Sequence, residues 1–395
     1  MKRLALGMGI AAMAAAGGVG WTIARRLTAP VGPRRFDLRI RDVEHDNDGD
    51  LIVLDRTNQT ASDGIYNLWF EHGGWAQLST EVHDREPTRV ARRITRTVPG
   101  LAPKAGDRAS WSGIYFTTPQ EAGLNARDIT IMTPAGGCPA WRIDGDPSTW
   151  AIHIHGLGST RAGTLRGVLA TTELGYTSLA VTYRSTEEGP LVGTGRSTLG
   201  YTETADVDEA IGYAVRRGAR QIVLFGWSMG AAIALQLADR PRHQGLIAAL
   251  VLDSPVLDWT EVIKANCTRS GLPAAAGRLA VPWLTIPSLA RLVGLPGRIP
   301  LRSFDWTARA ADLTTPTLIL HGAQDDSARV WLSQALRAAR PDLIELETFD
   351  AGHTLSWNAD PGRWHAETTE WLSARVGGAM PTAFTGSSPP GRAPE

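Results

Sequence analysis

The stretch from Gln221 to Leu237 constrains the fold of this 395-residue chain more than any other. Gln221-Ile-Val-Leu-Phe225 reads as a buried strand, a short apolar run rich in β-formers. Met229-Gly-Ala-Ala-Ile-Ala-Leu-Gln-Leu237 reads as an apolar helix. Only Gly226-Trp227-Ser228 separates them. A strand that turns into a helix over so few residues forces unfavourable backbone angles on the residue at the turn, here Ser228, and brings strand and helix close together. Gly226 and Gly230 have no side chain to clash there. The serine oxygen is then held out at the carboxyl edge of a sheet, beside the unpaired N–H groups that begin the helix.

The surrounding chain repeats the same rhythm from Ile129 onward. Strands are predicted over Thr149–Ile154, Thr177–Thr182, Gln221–Phe225, Leu246–Leu252, Thr317–Leu320 and Leu343–Leu346. Helices are predicted over Ala162–Leu174, Thr202–Arg217, Met229–Asp239, Ala328–Ala339 and Glu367–Ala374. This alternation implies an α/β architecture: a mostly parallel, doubly wound sheet with helices on both faces. Residues 256–315 interrupt it. They carry Trp259, Trp283, Leu284, Ile286, Leu289, Leu292 and Trp306, and read either as a helical cap or as an ordinary packed excursion. Residues 36–129 are more polar, with β-like stretches at Asp50–Leu54, Gly64–Phe70 and Trp75–Leu78. They form a small β-rich N-terminal region, too short for a propeller. Asp46-Asn-Asp-Gly-Asp50 looks like a calcium loop, but the closing glutamate is missing, so a solvated acidic turn is expected. The tail, 376–395, holds Gly-Ser-Ser-Pro-Pro and is expected to be disordered.

Charge and cysteine content exclude several functions. Forty basic and forty acidic side chains balance, which gives no footprint for nucleic acid. Cys138 and Cys267 form no C-x-x-C pair, so neither a zinc site nor a disulfide framework is expected, and both read as free thiols. No cofactor and no metal are expected. The first residues differ in kind. Leu4–Ile23 is uncharged and flanked by Lys2-Arg3 and Arg25-Arg26; about 20 such residues span a bilayer. Residues 1–27 therefore read as a transmembrane anchor or as a secretory signal with Ala14-Ala-Ala16 as cleavage site. The arginines after the run favour the anchor, so the membrane is the expected partner and the cell membrane the expected location, with secretion as the alternative. The excess of arginines after the run would leave the body on the cytoplasmic side.

A serine hydroxyl is a weak nucleophile without a base. Among nine histidines, His353 sits in the loop Asp350-Ala-Gly-His-Thr354 after the last strand, where strand ends converge. His321 ends a strand in another pattern, and His365 lies in a helical stretch. The group that orients the base should lie between serine and histidine in the chain. Leu318-Ile-Leu-His-Gly-Ala-Gln-Asp-Asp326 supplies Asp325 and Asp326; Asp325 is favoured, and Asp253 and Asp258 read as turn or cap residues. Ala151-Ile-His-Ile-His-Gly-Leu-Gly158 runs a strand into a glycine turn. The amides of Leu157 and Met229 would form an oxyanion hole. His155 would hold that turn, and His153 would pack in the core.

With H-G-L-G-S-T, G-W-S-M-G, H-G-A-Q-D and A-G-H in this order, the chain from 130 to 375 resembles the α/β-hydrolase superfamily. Tyr183-Arg184 is similar to a turn common in it. Within the superfamily the pattern resembles bacterial serine hydrolases related to the prolyl-oligopeptidase group. Ala328-Arg-Val330 departs from the usual Val-Pro after the acid. The resemblance implies an acyl-enzyme mechanism with Ser228 as nucleophile, His353 as base and Asp325 as acid. A small-molecule or lipid ester is the expected substrate, the cap suiting an acyl tail. A serine peptidase and a catalytically silent, membrane-tethered interaction module are the competing readings.

Overall fold

The computed structural model describes residues 2–376, with side chains of the first helix described from Ala14 onward. The tail expected to be disordered lies outside the described residues, apart from Val376. The chain starts with helix α1 (Lys2–Leu27). Six strands follow: β1 (Leu38–Asp46), β2 (Gly49–Asp55), β3 (Tyr66–Phe70), β4 (Trp75–Asp84), β5 (Arg89–Thr97) and β6 (Arg108–Ser112). They close into an antiparallel barrel in the order β1-β2-β5-β4-β3-β6. Ile40, Ile52, Leu54, Leu68, Phe70, Leu78 and Val90 fill its interior. Closure removes the unpaired strand edges that an open six-stranded sheet would leave. The expected hairpin is present, with Trp69 opposite Trp75. The acidic turn joins β1 to β2, and Arg93 donates to both carboxylate oxygens of Asp46.

The second unit is an eight-stranded sheet. Its strands are β7 (Ala126–Thr133), β8 (Gly136–Ile143), β9 (Asp146–Ile154), β10 (Tyr176–Val181), β11 (Gln221–Trp227), β12 (Ile247–Asp253), β13 (Thr317–Gly322) and β14 (Ile344–Phe349). Their order is β14-β13-β12-β11-β9-β10-β8-β7. From β14 to β10 every pairing is parallel. The β7–β8 hairpin pairs antiparallel on the far edge. Sequence periodicity missed this hairpin because its outer strand is largely solvated and its inner strand holds two glycines and a proline. Helices α2 (Leu165–Glu173), α3 (Glu203–Val215), α4 (Met229–Ala238), α5 (Trp259–Arg269), α6 (Val281–Thr285), α7 (Pro287–Val293), α8 (Val330–Ala339), α9 (Ser356–Ala359) and α10 (Pro361–Arg375) complete the chain. Two apolar cores flank the sheet: α3 and α4 lie in one, and α10 in the other. This is the α/β-hydrolase fold with a small antiparallel β-region before it. After β10 the chain returns to β11 on the other side of β9, so the carboxyl ends of these strands open a crevice.

Helix α1 departs from the anchor expectation. Among the described residues no helix is long and apolar enough to cross a membrane. The second half of α1 is instead packed on the insertion between β12 and β13. Gly20 lies so close to the 3-10 turn Ala274–Ala280 that an added Cβ would sit 2.1 Å from the carbonyl oxygen of Leu279. Trp21 Nε1 donates to Leu292 O and Arg25 Nη1 to Val293 O, satisfying carbonyls at the end of α7. Ala24 is fully buried in the main core, and Arg196 donates to the carbonyl of Arg25. The insertion, readable from the sequence as a cap or as a packed excursion, buries Trp306 and Leu284 in the main core, sets Trp283 against α1 and leaves Leu292 63% exposed. We expect Gly20→Val to lower stability by about 1–3 kcal/mol through overpacking, read as a drop in thermal midpoint. An unchanged midpoint would mean that α1 does not dock in this way.

Candidate active site

The site is built on the turn after β11. Ser228 has φ +54° and ψ −114°, a region that costs a side-chain-bearing residue about 1–3 kcal/mol. The neighbours enforce it. A Cβ on Gly226 would sit 2.4 Å from Ala231 Cα, and one on Gly230 would sit 2.0 Å from Ile154 O. The backbone is clamped further, with Ser228 N donating to Asp253 O at 3.0 Å.

Two loops deliver the other groups. His353 follows β14 and Asp325 follows β13. The Ser228 hydroxyl donates to His353 Nε2 at 2.9 Å, and His353 Nδ1–H donates to Asp325 Oδ2 at 2.7 Å. Asp325 is buried, and its Oδ1 also accepts from the amides of Ser327 and Ala328, both at 2.8 Å. Burial alone would push this carboxyl up; hydrogen bonds from His321 and His353 outweigh it and hold the group well below the usual carboxylate range. Asp326 is exposed and lies 3.5 Å from Arg269. Asp253 is buried under Trp364, whose indole N–H it accepts, and Asp258 caps α5.

Four of the other histidines, His321, His365, His155 and His153, have structural partners. His321 lies under the acid, donating to Ala328 O and accepting from Ser333 Oγ. His365 pairs with Glu173. His155 donates to Gly156 O at 2.9 Å, while Tyr183 donates to the carbonyl of His155. His153 packs against Phe225. Burial pushes His155 down to about 4 and His153 down to about 3, so both are neutral near pH 7. The amides of Leu157 and Met229 donate to no acceptor among the described residues and flank Ser228 from the β9 turn and the start of α4. A Cβ on Gly156 would sit 3.2 Å from Ser228 Cβ, so a side chain there would push the β9 turn and the serine slightly apart. Cys138 and Cys267 are free and buried.

Sequence reasoning missed a brace around the histidine loop. Arg166 on α2 is buried, and its Nη1 donates to Thr354 O and Asn358 Oδ1. Asn358 in turn donates to Ile65 O and Gly113 O of the barrel region and accepts at its carbonyl from Ile65 N. The loop that presents Ile65 is held by a buried Arg92, which donates to the carbonyls of Thr60, Ser62, Gly64 and Ser79. No local pattern marks these residues, because each partner is more than 10 positions away. Thr354 N also donates to Ser254 Oγ.

A cleft of about 610 Å³ opens above Ser228 and His353. Val256, Trp259, Val262 and Ile263 of the insertion line one wall, and Ile23 and Leu27 of α1 line another. Of the insertion residues read as suited to an acyl tail, Trp259 lines the cleft.

Residues 151–368 match the family described as Alpha/beta hydrolase family, and residues 39–112 match a domain of unknown function. No curated protein matches. Among solved structures, an esterase of Pyrococcus furiosus superposes with a TM-score of 0.51 at 19% identity, covering 66% of this chain and 96% of that one. An esterase of Exiguobacterium antarcticum gives 0.46 at 16%, covering 62% and 100%. A thermophilic esterase of Thermogutta terrifontis gives 0.44 at 20%, covering 63% and 99%. At these identities the likeness is one of fold.

Burial of His153 and His155 sets a pH response. Their folded values lie below the ordinary imidazole value of about 6.5, so the folded state binds fewer protons than the unfolded one. Stability is therefore complete above that value and falls as pH drops toward about 4 for His155 and about 3 for His153. The depressed Asp325 adds a loss of the same sign below its ordinary value of about 3.9. The urea midpoint should decline steadily from about pH 6.5 downward. A flat midpoint to about pH 4.5 would contradict neutral burial of the two imidazoles.

Proposed function

The chain belongs to the alpha/beta hydrolase family and is a hydrolase, and from that premise we propose that it cleaves carboxylic esters through an acyl-enzyme. The observation that carries this reading is the hydrogen-bonded series Ser228–His353–Asp325 beside two unengaged amides. Ser228 Oγ attacks the ester carbonyl carbon while His353 Nε2 takes its proton. Asp325 fixes the imidazole tautomer and stabilises the imidazolium that forms. The tetrahedral oxyanion faces Leu157 N and Met229 N, donors worth about 3 kcal/mol each. Collapse expels the alcohol, which takes the proton from His353. Water then attacks the acyl-enzyme with His353 as base, releasing the carboxylic acid and restoring the serine hydroxyl. The apolar walls of the cleft support an acyl chain as the group bound next to the scissile bond.

The expected location at the cell membrane is also a proposal, and it rests on the uncharged sequence Leu4–Ile23 alone. Retention of the full chain in a washed membrane fraction would support it, and complete recovery in the soluble fraction would refute it.

Ser228→Ala should fold normally, lose labelling by a fluorophosphonate and lose hydrolysis of p-nitrophenyl acyl esters. Full activity in that variant would refute the nucleophile. Asp325→Asn should lower kcat by about 10⁴-fold, while Asp326→Asn, on an exposed carboxylate, should stay within about twofold on a neutral ester. Faster cleavage of aminoacyl p-nitroanilides than of the esters would overturn the choice of bond.

A further inference from the structure

The cleft above Ser228 combines apolar walls with exposed arginines. Arg26 from the end of α1, Arg35 from the segment after it and Arg269 from the end of α5 all line it, and among the described residues no carboxylate does. Arg26 and Arg35 are near neighbours in the chain, and they meet the distant Arg269 because α1 docks on the insertion. All three are exposed. Arg269 shares its charge with Asp326 at 3.5 Å; among the described residues no carboxylate pairs with Arg26 or Arg35. The adjacent Arg34 does not join them, since its guanidinium lies over the Trp69 ring, 4.2 Å from the centroid. In a net-neutral chain with forty acidic side chains, the one carboxylate within ion-pair distance of this rim among the described residues is Asp326 beside Arg269. An uncharged acyl ester would gain nothing from such a rim. Guanidinium groups present planar forks of donors that match phosphate, sulfate or carboxylate oxygens, and a rim of one sign concentrates anions at the entrance.

We propose that the mouth of this cleft selects acyl esters bearing an anionic group on the alcohol side, with Arg26, Arg35 and Arg269 contacting the anion while the acyl chain lies along Ile23, Leu27, Val262 and Ile263. The proposal rests on the ester reading of Ser228 and names the substrate class for it. The same chemistry is offered by a phosphorylated or carboxylated soluble ester and by an anionic lipid headgroup in a bilayer. Helix α1 then supplies both part of the acyl wall and one of the anion contacts.

Octanoate release from octanoylglycerol phosphate and from neutral octanoylglycerol, both as dissolved monomers, tests this. We expect kcat/KM to favour the phosphate by about tenfold at low salt, roughly a factor of two for each exposed guanidinium. The preference should shrink at about 0.5 M salt, where exposed charges are screened within a few ångströms. It should disappear in the triple variant Arg26→Gln, Arg35→Gln, Arg269→Gln, whose sites are all exposed; fluorophosphonate labelling of Ser228 checks that this variant is folded. A second arm embeds oleoylglycerol phosphate or oleoylglycerol in phosphatidylcholine vesicles. Preference in both arms identifies an anionic ester in either setting, and preference in vesicles alone identifies the lipid headgroup. Equal rates for phosphate and neutral ester in both arms, or a preference that survives the triple variant, overturns the proposal while leaving the ester reading intact. Absence of hydrolysis and of labelling in the parent protein would instead mark failure of the ester reading itself.

Discussion

The backbone of Ser228 is held in a conformation that the residue would not adopt alone, and the geometry around it follows from that constraint. The turn is possible because β11 and α4 approach until Gly226 and Gly230 touch backbone atoms. The strain is offset by burial on both sides, since β11 is central in the sheet and all but one residue of α4 is buried. A rigid turn fixes the position of one hydroxyl to within the tolerance of a hydrogen bond. Flexible loops can then be adjusted to it, as the loops after β13 and β14 are.

Those loops are not left to their own stiffness. The histidine loop is pinned from three directions, by Ser254 at the end of β12, by Arg166 on α2 and by Asn358 reaching the barrel region. The terminal nitrogens of the buried arginines in this brace donate to carbonyl oxygens and an amide oxygen, while the Nε groups stay unpartnered and no carboxylate among the described residues lies within ion-pair distance. That arrangement suits a positioning role: several weak, directed bonds hold a loop at a defined height without placing a competing negative charge beside the imidazole. It also gives the β-region a physical connection to the site, through backbone groups of Ile65 and Gly113.

The electrostatics of the site divide into interior and rim. Inside, burial keeps His153 and His155 neutral and hydrogen bonds keep Asp325 ionised. The Asp325 charge therefore faces the His353 imidazole, as an acyl-transfer base requires, with His321 lying under the same carboxylate. At the rim, the arginines come from α1, the segment after it and α5, which lie outside the sheet. The interior is set by local packing, and the rim is set by where α1 happens to rest.

What the sequence determined by itself was everything carried by short-range pattern. The turn at Ser228, the β13 and β14 loops bearing Asp325 and His353, and the glycine turn at Leu157 could be read because each is a strand end with a fixed local chemistry. The choice between Asp325 and Asp326 was also legible from spacing, and the structure brings Asp325, not its neighbour, to His353. The parallel sheet followed from alternating periods of apolar residues. Tertiary structure alone decided the rest. A barrel closes only when six strands find partners far apart in sequence, and its inward faces are too short and mixed to announce that closure. The uncharged run of α1 satisfied a length criterion for a membrane span, but hydropathy does not say which surface covers a helix. Here small residues such as Gly20 and Ala24 let its second half lie directly on the insertion. The same docking carried Ile23 and Leu27 to the cleft and Arg26 to its mouth, positions that depend on long-range contact and leave no periodic trace in the chain.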